Sequence, residues 1–374
     1  MKKNIKIYEM PILYLTLLLI FFGTIMQYSA SSTIAINKFG WENYSHFLNK
    51  HLIRVSIGLI AMIVMYNFKF KWLKKYSKEI LILSWIIMLF AYIWNAGSTR
   101  RFLVINGVNI LTTSDFARFA LIIFTANFIS NNKKNINDIK TLFFNYIIYI
   151  LISLAMILLQ PDYSSTFIIS TILISMLIVS GLKIKYLKYF ILISIGVLTI
   201  ATIKFEYIKI RLSNWFYNAF LNSNPDPTSQ AERAKQALHN GGFWGNGFSD
   251  SIIKEGFMAE GHTDFILPII GEEIGFFGIF VLFSLFFGFY FLSIKIAKNS
   301  PDIFSSMLAL GIAYNILYYF LINAGYVVGV FPPTGLAIPF ISYGGSHTLF
   351  TLISVGVLLN ISKYCNIYRY KYLR

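Results

Sequence analysis

Long apolar runs recur along nearly the whole chain, and they constrain the fold more than any other feature of the sequence. A helix needs about 20 mostly apolar residues to cross a bilayer. Ten segments approach this length, each separated from the next by polar or basic residues. We therefore predict an all-α polytopic membrane protein of about ten transmembrane helices. The predicted spans are residues 10–29, 52–68, 79–96, 116–130, 141–160, 165–181, 186–203, 265–292, 303–327 and 347–362.

The composition excludes a set of soluble domains. Hydrophobic residues make up 56% of the chain and charged residues only 13%, whereas a soluble domain carries about 25% charged residues. The net charge of +16 could suggest nucleic-acid binding. However, the basic residues fall in short clusters between apolar runs, with no basic stripe interleaved with base-stacking aromatic residues. We therefore expect no nucleic-acid partner.

Lysine and arginine collect in every second connection between the predicted spans. Short cytoplasmic loops carry an excess of these residues, so both termini should be cytoplasmic and residues 363–374 should form a basic cytoplasmic tail. Lys2 and Lys3 before an apolar run also resemble the start of a cleavable signal peptide. The run from Pro11 to Met26 is long for such a peptide and many spans follow, so we expect an uncleaved first helix.

Two connections on the extracytoplasmic side differ from ordinary loops. Residues 204–262, between helices 7 and 8, are too polar to span and carry six basic and six acidic residues. This balance favours a folded cap over a disordered tail, and residues 229–239 resemble a polar helix. Residues 331–346 contain three prolines and three glycines, which exclude a continuous helix, yet the segment is apolar. Such backbone is tolerated at membrane depth only when it is buried in protein or lines a cavity.

Ionisable groups within or beside a span are costly, so each is a candidate for function. Asp264 lies where the large loop enters the eighth helix, and it could equally be the N-cap of that helix. Glu272 and Glu273 follow two turns deeper, where we expect them to pair with basic groups on neighbouring helices. The five histidines, without cysteine clusters or an HExxH spacing, give no signal for a metal site.

Two further groups lie beside predicted spans. Arg100 and Arg101 oppose the usual charge distribution on the extracytoplasmic side, so we expect them to meet anions, either lipid headgroups or a pyrophosphate. Gln160, Pro161 and Asp162 predict a tight turn in which Asp162 caps the next helix. On these residues alone, a polytopic transporter fits about as well as an enzyme.

Several long motifs occur together in a recognisable order. The longest are GNGFSDSIIKEGFMAEGHTDFI at 245–266, GEEIG at 271–275 and TGLAIPFISYGGS at 334–346. Shorter ones are YSAS at 28–31, QPD at 160–162 and LNIS at 359–362. On these motifs the chain resembles the SEDS family (shape, elongation, division and sporulation) over essentially its whole length.

The chain departs from the family pattern at several positions. The usual A-R-R-W-I reads TRRFL at 99–103, which loses the indole, and Q-P-S-E-x-x-K reads TTSDFAR at 112–118, which keeps the charge signs but changes their reach. Of Y-Q-x-x-Q-S only Gln230 remains, and P-D-L-G becomes PDYS at 161–164. These departures affect the expected contacts of the acceptor and donor grooves and leave Asp264 untouched.

The resemblance implies a peptidoglycan glycosyltransferase of the bacterial cytoplasmic membrane that polymerises lipid II, the undecaprenyl-pyrophosphate-linked disaccharide-pentapeptide. It implies a class B penicillin-binding protein as partner, with other membrane proteins of the division complex.

The loop spacing resembles the family's division branch, which works at the septum, more than its elongation branch. The residues that fit this spacing are Ser251, Lys254, Phe257, Glu260 and His262. A flippase for the lipid-linked precursor is an alternative, although no clear internal repeat is present. A purely structural division scaffold is another.

The resemblance also implies roles for single residues. Asp264 is the expected catalytic base, and Arg101, Arg211 and Lys254 are candidates to stabilise the leaving pyrophosphate. Arg211 and Lys254 could instead be surface charges of the large loop. The other substrate-binding candidates are Gln230, Glu260, His262, Thr263, Ser342, Tyr343, Gly344, Gly345 and Ser346. A divalent cation at the pyrophosphate fits the chemistry, but the sequence identifies no ligand set for it and no other cofactor.

Overall fold

The computed structural model describes residues 8–95, 100–105, 108–183, 206–220, 229–254 and 261–372, with scattered positions between 185 and 199. The helices are α1 (Glu9–Phe39), α2 (His46–Asn67), α3 (Lys71–Lys75), α4 (Ser77–Trp94), α5 (Thr113–Asn132), α6 (Ile139–Leu159), α7 (Tyr163–Val179), α8 (Glu206–Phe220), α9 (Gln230–Gly241), α10 (Ile266–Asn299), α11 (Ile303–Val327) and α12 (Gly345–Tyr372). A short antiparallel hairpin, β1 (Phe102–Ile105) and β2 (Val108–Thr112), connects α4 to α5.

Nine of the ten predicted spans coincide with a helix in the part of the chain that the structure describes. Seven of these helices (α1, α2, α4, α6, α10, α11 and α12) are long and apolar enough to cross a membrane. Helices α5 and α7 coincide with the predicted spans 116–130 and 165–181. The predicted span 186–203 lies outside the described ranges except for single positions. The prediction of an all-α polytopic membrane protein is confirmed.

Helices α11 and α12 form the centre of the bundle. In the most apolar stretch of each helix, 78% and 72% of the residues are buried, against 22% in α2 and 28% in α4. The outer faces of α2 and α4 are therefore left for lipid. Small residues allow close contacts at the centre. Gly311 of α11 approaches Ile122 of α5 and Met176 of α7 so closely that a methyl group there would press on both side chains. Such close backbone packing is typical of helices that associate within lipid.

The amino ends of α5, α10 and α12 gather at one end of the bundle. The main-chain nitrogen of Thr112, just before α5, donates to Ser346 Oγ at the start of α12, with a distance of 2.6 Å. The main-chain nitrogen of Tyr343, just before α12, donates to the carbonyl oxygen of His262, just before α10, at 3.0 Å. Since the first N–H groups of a helix carry partial positive charge, this end of the bundle favours anions.

The amino end of α7 joins the same region through Asp162. Its side chain accepts a hydrogen bond from Ser165 N at 3.2 Å, so Asp162 caps α7, as the sequence predicts. Asp162 Oδ2 also accepts from Ser114 Oγ of α5 at 2.7 Å. The turn at Gln160–Asp162 therefore links two helix starts as well as ending α6.

The connection at 204–262 contains two helices in its described parts. Helix α9 confirms the helix predicted at 229–239. Its N-cap is Ser229, whose hydroxyl oxygen accepts from Glu232 N at 3.3 Å. Helix α8 is fixed by Trp215, whose Nε1 donates to the carbonyl oxygen of Gly329 at 2.9 Å. The loop after α11 and this connection therefore contact each other.

The segment at 331–346 is irregular up to Gly345, where α12 begins, and its apolar residues Leu336, Ile338 and Phe340 are buried. The prediction of a non-helical but buried segment is confirmed. At the other end of α12 the helix continues to Tyr372. The basic segment predicted as a tail at 363–374 is therefore, as far as Tyr372, an extension of the last helix.

Helix α10 is broken at Gly275, whose φ of 72° and ψ of −170° are not helical. Residues 242–247, which we call the clasp, supply hydrogen-bond partners to the backbone at this break. Four bonds join them, from Asn246 N to Glu272 O (2.9 Å), from Gly247 N to Glu273 O (3.1 Å), from Phe276 N to Gly242 O (2.9 Å) and from Phe277 N to Phe243 O (3.1 Å). Because buried backbone groups must be paired, the clasp and the break depend on each other.

Replacing Gly245 with Ala should destabilise the protein by roughly 3–5 kcal/mol, because backbone strain adds to a steric clash. Gly245 has a φ of +83°, and a Cβ there would overlap the carbonyl group of Glu273. Thermal unfolding of the purified protein measures the effect. Gly242→Ala is the matched control, since Gly242 has a φ of +51° but no atom within 4 Å of an added Cβ. Equal losses in the two variants would contradict the close contact at the clasp.

Candidate active site at the amino end of helix α10

Asp264 lies two residues before α10, which begins at Ile266. The N-cap residue of α10 is Phe265, so Asp264 is not the N-cap residue that one alternative predicted. The carboxylate is half-buried, and its Oδ1 accepts a hydrogen bond from Thr263 Oγ1 at 2.6 Å. A partly exposed carboxylate beside a helix start can act on a bound ligand.

The main chain of Asp264 is fixed by the end of α11. Its carbonyl oxygen accepts from Asn323 Nδ2 at 2.8 Å and from the Tyr326 hydroxyl. The same Asn323 amide donates to the carbonyl oxygen of Leu336 at 2.6 Å. One buried side chain therefore joins the Asp264 turn to the irregular segment at 331–346.

Gly335 lies against the Asp264 carboxylate. It has a φ of +65°, and a Cβ added there would lie 3.3 Å from Asp264 Oδ2. The absence of a side chain thus leaves room beside the carboxylate. The sequence motif at 334–346 contains this glycine, but its contact with Asp264 could not be read from the motif.

Replacing Gly335 with Ala should reduce activity more than stability. The left-handed backbone costs an alanine about 1–2 kcal/mol. The added methyl group would displace the carboxylate, and a small misplacement of a catalytic group can lower a rate by up to about 10²-fold. Gly329→Ala is the control, because its φ of +88° gives similar strain while its Cβ would meet the flexible Lys235 side chain. Similar activity in both variants, measured at similar melting temperatures, would contradict this role.

The His262 and Tyr343 side chains lie together near Asp264. Their ring centroids are 5.5 Å apart, and Phe47 of α2 contacts both, with centroids 4.8 Å from His262 and 5.7 Å from Tyr343. On Tyr343 lies a group that the sequence analysis missed: the Arg54 guanidinium of α2, 4.3 Å from the ring centroid. Arg54 falls within the predicted span 52–68, and the rule that charges inside spans are functional candidates would have found it.

The structure places the other candidates of the 342–346 motif around this group. Ser342 Oγ accepts from Ile338 N at 2.8 Å, which closes a turn. Ser346 Oγ accepts from Thr112 N. Gly344 and Gly345 lie between these serines, with Gly345 beside Arg54. The two serine hydroxyls therefore fix the backbone of the segment, and the Tyr343 ring contacts the His262 and Phe47 rings.

Arg211, on α8, interacts electrostatically with the Tyr326 hydroxyl, as the Asp264 carboxylate also does. Arg101 is exposed just before β1, with its guanidinium 4.8 Å from the centroid of the Phe102 ring. Gln230 is the first residue of α9. Glu260 lies outside the described residues.

Lys254 is held in a buried ion pair. Its Nζ lies 3.0 Å from Glu273 Oε1, and the two side chains are only 3% and 0% exposed. The ammonium also donates to Ser29 Oγ of α1 at 3.1 Å and to the carbonyl oxygen of Ser249 at 2.6 Å. The alternative that Lys254 is a surface charge is therefore wrong. The pair joins the large loop to α10 and α1.

Glu272 has a different environment from Glu273. Its carboxylate accepts from the Ser251 hydroxyl, from Asn240 Nδ2 at 3.2 Å and from Ile253 N at 3.3 Å. The expected pairing with a basic group is thus confirmed for Glu273, with a partner from the loop, whereas no basic partner of Glu272 occurs among the described residues. Both carboxylates attach the loop to the broken turn of α10.

A second buried ion pair lies at the start of α5. Arg118 Nη1 is 2.9 Å from Asp115 Oδ1, the guanidinium lies 4.3 Å from the centroid of the Tyr319 ring and donates to its hydroxyl, and His347 Nδ1 is 3.7 Å from Asp115 Oδ1. The family pattern has a Glu and a Lys at these positions. In this chain the shorter acid is thus combined with a longer base, and the two form an ion pair.

The described residues contain no group of three or more His, Cys, Asp or Glu side chains that could hold a metal ion. The divalent cation stays a prediction without an identified ligand set.

Comparison with known proteins gives the family of this chain. A family model described as "Cell cycle protein", which covers FtsW, RodA and SpoVE, matches residues 9–367. A protein of Trichlorobacter lovleyi described as "Probable peptidoglycan glycosyltransferase FtsW" is 32% identical over 362 residues, 95% of this chain and 93% of that protein. Stage V sporulation protein E of Bacillus subtilis is 31% identical over 362 residues, 95% of this chain and 97% of that protein.

Among solved structures, a chain of a peptidoglycan synthase complex that coordinates polymerization and crosslinking superposes with a TM-score of 0.75 at 18% identity. The similarity covers 95% of this chain and 97% of that one, and it shows that the fold is shared. Because the family model and relatives above 30% identity span nearly its whole length, this chain belongs to the SEDS family of FtsW, RodA and SpoVE proteins.

Proposed function

We propose that this protein is a glycosyltransferase that polymerises lipid II into peptidoglycan glycan strands, with Asp264 as its catalytic base. The observation that carries the proposal is the half-buried Asp264 carboxylate, which lies where several helix starts meet, beside Gly335 and with a hydrogen bond from Thr263. Relatives described as peptidoglycan glycosyltransferases support the reaction type.

The reaction joins the 4-hydroxyl of one lipid-linked disaccharide to the anomeric carbon of another. Asp264 accepts the hydroxyl proton as the oxygen forms its bond to the anomeric carbon. The bond from that carbon to the phosphate oxygen breaks, and undecaprenyl pyrophosphate leaves with the electron pair. A well-placed base of this kind contributes about 10²–10⁴-fold to the rate. Thr263 orients the carboxylate through its hydrogen bond to Oδ1.

The leaving pyrophosphate needs positive charge around it. Arg211 is the strongest candidate, because it interacts electrostatically with the same tyrosine hydroxyl as Asp264. Arg54 is a further candidate, since it lies on Tyr343 next to the His262 turn. Arg101 is a weaker candidate than Arg211, because it is exposed and its guanidinium lies on the Phe102 ring of the hairpin. Lys254 is the weakest candidate, because its ammonium is already paired with Glu273.

We infer that the Asp264 end of the bundle is extracytoplasmic and that both termini are cytoplasmic. Since one solved structure with the same fold belongs to a peptidoglycan synthase complex, we propose a class B penicillin-binding protein as the partner.

We place the protein in the division branch of the family and at the septum, because of the loop spacing from Ser251 to His262. Depletion that gives filaments would support the division branch, whereas rounded cells would indicate the elongation branch.

The direct test uses the purified chain with its class B penicillin-binding protein and labelled lipid II. Electrophoresis of the products should show glycan strands, and strands should form only when this chain is present. A parallel assay in vesicles measures the movement of lipid II across the bilayer. Lipid movement without glycan strands would contradict the proposal and would instead support the flippase. A protein inactive in both assays but required in cells would support the scaffold.

A further inference from the structure

Three aromatic side chains in and beside the clasp lie on the outside of the bundle. Phe243, Trp244 and Phe248 are 55%, 74% and 50% exposed. No charged residue occurs between Gly242 and Ser249. An exposed, uncharged aromatic surface on a loop indicates a binding partner rather than water.

The clasp rings pack on the part of α10 that follows the break. The centroids of Phe243 and Phe276 are 5.9 Å apart, and those of Trp244 and Phe277 are 5.7 Å apart. Phe276 and Phe277 are themselves 57% and 47% exposed. The clasp therefore extends a surface that begins on the transmembrane helix.

The exposed face of α10 changes at the break. Every residue from Ile266 to Glu273 is buried, whereas Phe276, Phe277 and Phe280 beyond the break are exposed. In a transmembrane helix an exposed apolar face meets lipid. The first part of α10 is thus enclosed by protein, and the lipid-facing part begins where the clasp is attached.

The length of the uncharged stretch gives the depth of this point. Beyond Glu273 the next charged residue of α10 is Lys295. The residues from Phe276 to Ile294 span about 28 Å at about 1.5 Å per residue, close to the roughly 30 Å thickness of the hydrocarbon core. With Lys295 at one membrane surface, Phe276 and the clasp lie at the other.

We propose that Phe243, Trp244 and Phe248 form a lipid-binding surface that inserts into the boundary between headgroups and acyl chains and anchors the large loop there. Tryptophan is favoured at this depth because its ring is apolar while its N–H group can still be hydrated. The clasp is also hydrogen-bonded to the break in α10. The anchor therefore couples the depth of the α10 break to the membrane surface, independently of the reaction that the protein performs.

The test measures the depth of Trp244 by fluorescence quenching. The full chain is reconstituted in vesicles of phosphatidylcholine and phosphatidylglycerol that contain lipid brominated either near the glycerol end or near the end of the acyl chain. The chain has six tryptophans, so the Trp244 signal is the difference between the unmodified protein and Trp244→Phe. Phenylalanine keeps an aromatic ring against Phe277, and equal melting temperatures verify that the fold is retained.

The proposal predicts that the Trp244 signal is quenched most by bromine near the glycerol end and little by iodide in the water. Trp72→Phe gives the reference for an interfacial ring, because Trp72 is 53% exposed beside the lysines of α3. Strong quenching by iodide with none by brominated lipid would overturn the proposal, since the ring would then lie in water. Quenching by neither agent would also overturn it and would indicate that protein covers the clasp.

Discussion

Replacing Asp264 with Asn should lower the rate of glycan polymerisation by about 10²–10⁴-fold, because the amide cannot accept the proton of the attacking hydroxyl. Stability should change little. The amide has nearly the same shape as the carboxylate and can still accept a bond from Thr263, and the bonds from Asn323 and Tyr326 go to the main chain. The measurement is the initial rate of lipid II consumption, with thermal unfolding recorded on the same preparation.

Asp250→Asn is the matched control for this variant. Asp250 is an exposed acidic residue of the same large loop, so removing its charge should leave both rate and melting temperature unchanged. The base assignment is wrong if Asp264→Asn consumes lipid II as fast as the Asp250 variant at the same melting temperature.

Replacing Lys254 with Met should destabilise the protein by about 3–5 kcal/mol, because the fully buried Glu273 carboxylate would lose its ionic partner. The same change removes the ammonium that donates to Ser29 Oγ of α1 and to the carbonyl oxygen of Ser249. These bonds join the large loop to α1. Denaturation of the purified protein in detergent measures the loss.

The double variant Lys254→Met, Glu273→Gln separates two roles for Lys254. Removing both charges of a buried pair is often close to neutral, so most of the stability should return. If the ion pair only holds the loop, polymerisation should return with it, which is the expected result. Polymerisation that stays low in a stable double variant would instead assign Lys254 to the pyrophosphate.

The transmembrane helices could be predicted because each one satisfies its own backbone within a continuous segment. Apolar length alone therefore locates most spans, and it also locates α5 despite the buried Asp115 and Arg118 near its start. The cap at Asp162 could be predicted because a cap bonds to a residue only three positions away. The helix at 229–239 could be predicted from its own local sequence, although its Ser229 cap was not predicted.

The break in α10 could not be predicted from local sequence. The sequence shows the glycines at 242, 245, 247 and 275, but it does not show that they meet. The hydrogen-bond partners of the broken turn come from a segment about thirty residues earlier in the chain. Tertiary contacts likewise decide the environment of Asp264. An Asp before a helix predicts an N-cap, yet the bonds from Asn323 and Tyr326 hold Asp264 in a turn ahead of the helix.

The most direct test of the central claim is a structure of the Asp264→Asn variant with lipid II bound at the acceptor position. The slow reaction should allow the substrate to be trapped. We expect the acceptor 4-oxygen to lie within about 2.6–3.2 Å of the side chain at position 264, the reach of a general base. An acceptor sugar bound elsewhere, with a different group beside its 4-hydroxyl, would contradict the assignment of Asp264.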